Sequence, residues 1–297
     1  MTRIQANLVL LLAGAIWGMG FVAQSTAMAA IGPVLFIGLR FAIAALAILP
    51  FALRESRRAE RSLTPANWTA FLWIGLLLFG AVGFQQVGLL STTVTNSGFL
   101  TGLYVVMVPF FAVLLFRNWP HPAVWPAALT AFAGIWFLSG GQIEALTVGD
   151  WLTVLAAGFC ALQLIYIGRS ASPTGRPVTL AVAQFAVCAV IGMAVALVVE
   201  PFDWSAIFRA GPEILYAGIF SGGIAFTLQV VGQRYTTAPQ AAIFLASEAV
   251  FAALFGAWFL GERLPAAGFL GCGLIFAAIV AVEVLPVLLA RRRTSTL

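Results

Sequence analysis

Glu248 is the residue whose setting most constrains its chemistry. It lies inside an apolar stretch running from about residue 241 to 260, and a charge at the centre of a membrane helix costs at least ~2.5 kcal/mol unless a partner or water compensates. Gln240, Phe244 and Ser247 share its face at helical spacing. This stripe suits the wall of a wet cavity; the competing reading is a structural carboxylate bonded to a neighbouring helix. A second stripe, Ser97, Thr101 and Tyr104, recurs at i, i+4 and i+7 in another apolar stretch. Gln163 and Tyr166 share one face, Gln85 and Gln86 lie near the end of one segment, Gln229 near the end of another, and Trp17 near the middle of the first. Trp17 could be ordinary packing, but its indole N–H needs a partner and fits better beside a cavity than in lipid. The candidate cavity set is therefore Trp17, Gln85, Gln86, Thr101, Tyr104, Gln163, Tyr166, Gln229, Ser247 and Glu248. Amides, hydroxyls, aromatic rings and one acid suit a neutral or zwitterionic solute held by hydrogen bonds and stacking.

Catalytic and metal chemistry find little support. All 15 basic residues are arginine, so no lysine is available for a Schiff base or a phosphate-binding loop. The single histidine, His121, sits between Pro120 and Pro122 as a turn residue, and Ser221-Gly222-Gly223 lacks the nucleophile-elbow pattern. Cys160, Cys188 and Cys272 fall inside apolar segments, as packing thiols rather than a disulfide or metal framework. No enzyme activity, cofactor or metal is expected. Phosphorylated substrates need several cationic donors, and Arg40 is the only base embedded in an apolar segment. It is expected to snorkel or to bond backbone rather than meet substrate. An organic cation could still bind over Trp17 or Tyr104 with help from Glu248.

The elements that must position these residues are membrane helices. A chain that is 62% hydrophobic and 8% charged lacks the polar surface to solubilise 297 residues. Ser62 to Phe116 holds no charged side chain and is long enough for two spans, with Ser91–Ser97 as the polar turn between them. Ten spans are read, near 7–25, 34–53, 68–90, 97–116, 123–139, 150–169, 177–199, 212–232, 241–260 and 265–289. All must be helical, because unpaired backbone amides in lipid are too costly. The first resembles a cleavable signal peptide but has a counterpart later in the chain, so it is expected to remain as a span. With a cytoplasmic N-terminus, one side collects Arg3, Arg54, Arg57, Arg58, Arg61, Arg117, Arg169, Arg176, Arg234 and Arg291–Arg293, and the other only Arg209 and Arg263. That asymmetry puts both termini in the cytoplasm. Glu144, Asp150, Glu200, Asp203, Glu213 and Glu262 fall outside, and Glu283 near the inner interface. The net charge of +5 reflects these arginines, so nucleic acid is not expected as a partner. Gly14 with Gly18, Gly98 with Gly102, and Gly218 with Gly222 form small-xxx-small pairs for close helix packing.

A shift of 144 residues superposes Thr92-Thr93 on Thr236-Thr237, Gly88 on Gly232, Gln85 on Gln229, Arg40-Phe41 on Gln184-Phe185 and Tyr104 on Glu248. Two repeats of five helices follow, 1–147 and 148–297. Five is odd, so the second enters from the opposite side and the repeats are inverted. The fold class is an all-α integral membrane protein of ten transmembrane helices.

AGAIWGMGF (13–21), LRFAIAALAILP (39–50) and YTTAPQAAIFLASEAVFAALFGAWFLGERL (235–264) resemble the EamA-type ten-helix exporters of the drug/metabolite transporter superfamily over nearly the whole chain. TTVTNSGFLTGLYVVMVPFFAVLLF (92–116) and the aromatic content are similar to YddG-type aromatic amino-acid exporters. One departure is Ala249, where the family often has proline after the glutamate, which puts a helix break at Glu248 in question. The resemblance implies a central cavity between the halves and alternating-access export from a bacterial inner membrane. Combined with the polar set above, the expected substrates are amino acids, aromatic ones included, carried by a monomer in the lipid bilayer. A broader drug, organic-cation or metabolite exporter with proton coupling is the alternative, and a membrane enzyme, a channel or a non-transporting scaffold are outside readings.

Overall fold

The computed structural model describes residues 1–138, 147–263 and 266–294, with the side chains of Thr95, Leu138, Glu283 and residues 286–294 excepted. The expectation for Glu144, and those for the side chains of Glu283 and Arg291–Arg293, lie outside what is described. Among the described residues the chain is helical, with no strand. The helices are α1 (Arg3–Ala27), α2 (Pro33–Arg57), α3 (Pro65–Gly88), α4 (Val94–Thr101), α5 (Tyr104–Phe116), α6 (Val124–Leu138), α7 (Val148–Thr174), α8 (Pro177–Val199), α9 (Trp204–Arg209), α10 (Gly211–Tyr216), α11 (Phe226–Gln233), α12 (Ala238–Leu245), α13 (Ser247–Leu260) and α14 (Ala266–Thr294). A π-helical segment, Ala217–Ala225, joins α10 to α11. Taken as continuous rods, eight helices of 21 to 27 residues are long and apolar enough to cross a membrane, and the apolar helices Val124–Phe137 and Ala266–Val282 are shorter.

Local sequence explains where the rods begin. Thr2, Thr64 and Thr147 open α1, α3 and α7 with reciprocal capping boxes to Gln5, Asn67 and Asp150. Pro33, Pro65 and Pro177 occupy the first helical position, where no amide partner is lost. His121 accepts the Ala123 amide at its Nδ1 and so steers the chain into α6. In the connection between α8 and α10, Asp203 caps α9; the Ser205 hydroxyl and amide donate to it and hold its carboxyl below the usual carboxylate range.

Two rods that read as unbroken are each interrupted near mid-length. α4 passes to α5 at Gly102-Leu103, and α12 passes to α13 at Ala246. The second break forms without a proline: the Ala249 amide reaches Ala246 O at 3.1 Å, a tightened i to i+3 bond. Each break leaves a titratable side chain, Tyr104 or Glu248, in the first turn of the following helix.

The packing is close where glycine permits it. α2 and α8 run side by side, and a methyl group on Gly38 would lie 2.8 Å from Met193 N, so the backbones meet there. Gly14 and Gly18 seat α1 on α13 in the same way, with Ser247 Oγ 2.5 Å from a methyl on Gly14. The α2–α8 pair is also pinned at both ends. Glu200 accepts the Val34 and Leu35 amides at 2.9 and 2.7 Å. Glu55 accepts the Val178 and Thr179 amides at 3.1 and 2.7 Å. Each carboxylate thus satisfies the free amides at the start of the opposing helix. The bundle has an arginine-rich end, where Arg176 reaches Arg61 O and Arg169 and Arg234 share a recess with Asn118. At the acid-rich end, Asp150 and Glu262 approach the start of α4.

A central cavity with unpartnered polar groups

A cavity lies among α1, α2, α3, α4, α5, α7, the π segment, α11, α12 and α13. Seven of the ten sequence-selected residues line it: Trp17, Gln85, Thr101, Tyr104, Gln163, Gln229 and Glu248. Three do not. Gln86 is fully buried behind the wall, where its Nε2 contacts Gln24 O at 3.4 Å. Tyr166 stands edge-on to Phe116, with ring centroids 5.5 Å apart. Ser247 lies in the α1–α13 contact beside Gly14.

Arg40 is the main correction to the sequence reading. It does not snorkel, and among the described residues it bonds no backbone: it is 2% exposed, lines the cavity, and its Nε has no hydrogen-bond partner there. Starting α2 at Pro33 puts Arg40 two turns into the helix, with its guanidinium 4.7 Å from the Phe41 ring centroid and 5.5 Å from that of Phe36. Those ring faces favour the cation without neutralising it. Glu248, 4% exposed, lines the same cavity with one carboxylate oxygen unpartnered. Tyr104 OH lies beside Glu248, close enough to interact with it as donor to acceptor but outside strict hydrogen-bond geometry. A guanidinium and a carboxyl group therefore line one cavity, and neither has a counter-ion among the described residues.

The remaining wall orders these groups. Trp17 Nε1 donates to Ser221 O at 3.1 Å, inside the π segment. A π turn displaces carbonyls from the α-helical register, and the indole takes one of them. Trp17 also packs on Phe226 at 4.6 Å. Gln85 donates to the Thr101 hydroxyl at 2.9 Å. Three glutamines form a chain: Gln229 donates to Gln163 at 3.1 Å, and Gln163 to Gln184 at 3.0 Å. Gln229 Oε1 and Gln184 Nε2 are left unpartnered at its ends. Buried polar atoms are normally satisfied, so unpartnered atoms on Gln24, Arg40, Tyr104, Gln229 and Glu248 around one space indicate a site built for a polar guest. Gln24, Arg40, Cys160, Ser221 and the aromatic Phe21 and Phe226 are additions to the sequence-derived set. The shift that pairs Arg40 with Gln184, a member of the glutamine chain, was the available signal for Arg40.

Comparison with known proteins agrees with this architecture. The model of the EamA-like transporter family matches twice, over residues 4–140 and 147–283. The chain is similar to an uncharacterized transporter of Archaeoglobus fulgidus, 31% identical over 95% of this chain and 86% of the relative. It is also similar to the uncharacterized transporter YwfM of Bacillus subtilis, 25% identical over 94% of each. A solved crystal structure, 21% identical, superposes with a TM-score of 0.77 over 98% of this chain and 99% of that one; it speaks to the fold alone. With eight helices of membrane-spanning length and both halves matched, the chain belongs to the EamA-like transporter family.

Proposed function

We propose that this protein exports small zwitterionic amino acids, aromatic ones included, by alternating access across a bacterial inner membrane. The observation that carries the reading is the pair Arg40 and Glu248, a buried guanidinium and a buried carboxyl group on the wall of one cavity, neither with a counter-ion among the described residues. A zwitterion supplies both missing partners: its carboxylate suits the planar donors of Arg40, and its ammonium suits Glu248. Trp17, Phe21 and Phe226 offer the apolar surface for its side chain. An organic cation would satisfy Glu248 but leave Arg40 unpaired, which ranks that reading second. The local sequence likeness to YddG-type exporters points the same way.

The transport cycle we assign rests on two inverted repeats, residues 1–147 and 148–297, with the two shorter apolar helices counted as spans to give ten. Its support is the double family match, the reciprocal capping of α2 and α8 by Glu200 and Glu55, and the breaks before Tyr104 and Glu248. The arginine-rich end, with both termini, is assigned to the cytoplasm. The test is counterflow in proteoliposomes holding only this protein: labelled phenylalanine should accumulate against unlabelled phenylalanine, and sugar phosphates should not exchange. Preferential exchange of a phosphorylated compound, or of amines over amino acids, overturns the substrate assignment.

A further inference from the structure

The two ends of the bundle differ in one respect that the pseudo-symmetry makes informative. At the acid-rich end, Asp150 in the first turn of α7 accepts from the Thr92 hydroxyl at 2.7 Å and from Asn96 Nδ2 at 3.4 Å. This ties the start of α4 to the start of α7. The contact is tight: a methyl on Gly88 would lie 2.7 Å from Gly149 O. Phe21, Val94 and Ala252 form a small apolar plug beside it.

The equivalent contact at the arginine-rich end is unmade. The family matches begin at residues 4 and 147, an offset of 143 that relates Asp150 to Asn7. Gly232, the counterpart of Gly88 at the shift of 144, supports this pairing of α1 with α7, since a methyl there meets Ala6 O at 3.4 Å as one on Gly88 meets Gly149 O. At the shift of 144 that pairs Thr92-Thr93 with Thr236-Thr237, the partners of Asp150, Thr92 and Asn96, correspond to Thr236 and Gln240. Those two residues bond to each other instead, Thr236 Oγ1 to Gln240 Oε1 at 3.2 Å. Asn7 is 5% exposed, and its Oδ1 has no partner among the described residues. A buried acceptor left unpaired costs free energy that a second arrangement can recover.

We infer that Asp150 with Thr92 and Asn7 with Thr236 are alternating latches, the first closed in this structure and the second built to close when the first opens. The inference rests on the alternating-access reading above. In the other state Thr236 turns from Gln240 to Asn7, drawing the start of α12 onto α1 as α4 now sits on α7. Packed interfaces of this kind are bistable rather than continuously deformable, so exchange of one latch for the other sets which end admits solvent.

The test uses a variant with Cys160, Cys188 and Cys272 replaced and a single reporter, Val82→Cys, on the cavity wall. An impermeant maleimide is applied to right-side-out and inside-out vesicles, so the label reports access from each end without any transported substrate. Thr92→Val should raise labelling from the acid-rich end by roughly tenfold, the size of one hydrogen bond to a charged group. Asn7→Ala should lower it, and in the double variant the two effects should cancel. Asn7→Asp, which keeps the acceptor and mimics Asp150, should label at least as fast as the parent and shows that position 7 tolerates substitution. Unchanged or increased labelling in Asn7→Ala overturns the assignment of Asn7. Unchanged labelling in Thr92→Val overturns the Asp150 latch. If labelling follows the expected pattern while counterflow with amino acids fails, the substrate reading falls and the latches stand.

Discussion

Arg40 carries a division of labour that can be measured. If its guanidinium meets the substrate carboxylate, Arg40→Gln should weaken exchange of phenylalanine by roughly ten- to hundredfold, the value of a hydrogen bond to a charged group. Phenethylamine, which has no carboxylate, should lose nothing. Glu248→Gln should weaken both ligands, because both carry the ammonium. Counterflow with the two compounds on the two variants separates the roles, and equal losses of both ligands in Arg40→Gln would reduce Arg40 to a packing residue. Much of this wall was legible in advance, because polar side chains recurring at helical spacing in an apolar rod have few other uses: Thr101 with Tyr104, and Gln163 and Glu248, are cases. Arg40 was misjudged because snorkelling is the usual fate of an arginine near a helix end. Phe36 and Phe41 of the same helix flank the guanidinium, and what keeps it from the interface is tertiary, the packing of α2 against α8 and the π segment. Ser221 and Phe226 were invisible for a similar reason, since only the π turn turns that carbonyl toward Trp17.

At the level of elements, the α2–α8 pair is a stability determinant. Glu200→Gln leaves two helix-start amides with a weaker acceptor and should cost about 1–3 kcal/mol. Glu55→Gln should cost a similar amount at the other end. Gly38→Leu should be worse, because even its first carbon would press on Met193 N, leaving no room for the rest of the side chain. Thermal unfolding in detergent should therefore rank the parent above both glutamine variants and those above Gly38→Leu; a Gly38→Leu variant as stable as the parent would refute the close-approach argument. Segment positions were readable from hydropathy, and α2, α3 and α8 begin where proline or a capping threonine implies. The breaks at Gly102-Leu103 and Ala246 were not, because neither contains proline. They depend on how each rod packs against its neighbours rather than on local propensity.

For the whole molecule the questions are orientation and driving force. The proposed orientation requires Arg58→Cys, in a cysteine-free background, to resist impermeant label added outside intact cells and to react in inside-out vesicles; labelling from outside would invert the assigned topology. Driving force turns on which groups in the cavity can exchange protons with water. Arginine stays protonated at physiological pH, no lysine exists, and His121 sits at the start of α6, away from the cavity. Among the described residues Glu248 is therefore the one carboxyl group on the cavity wall. As the proposed ammonium partner it must be ionised when substrate binds, so a proton carried on it would compete with substrate at the same atoms. Competition of that kind can support antiport, but here it has no second acid on the wall to relay the proton between ends. The arrangement favours transport down the substrate's own gradient. In proteoliposomes an imposed inward proton gradient should leave net phenylalanine flux unchanged in the parent and in Glu248→Gln, although the variant binds more weakly. If the gradient instead drives uphill export in the parent, and Glu248→Gln abolishes that drive while retaining exchange, Glu248 is the proton site and the facilitator reading fails.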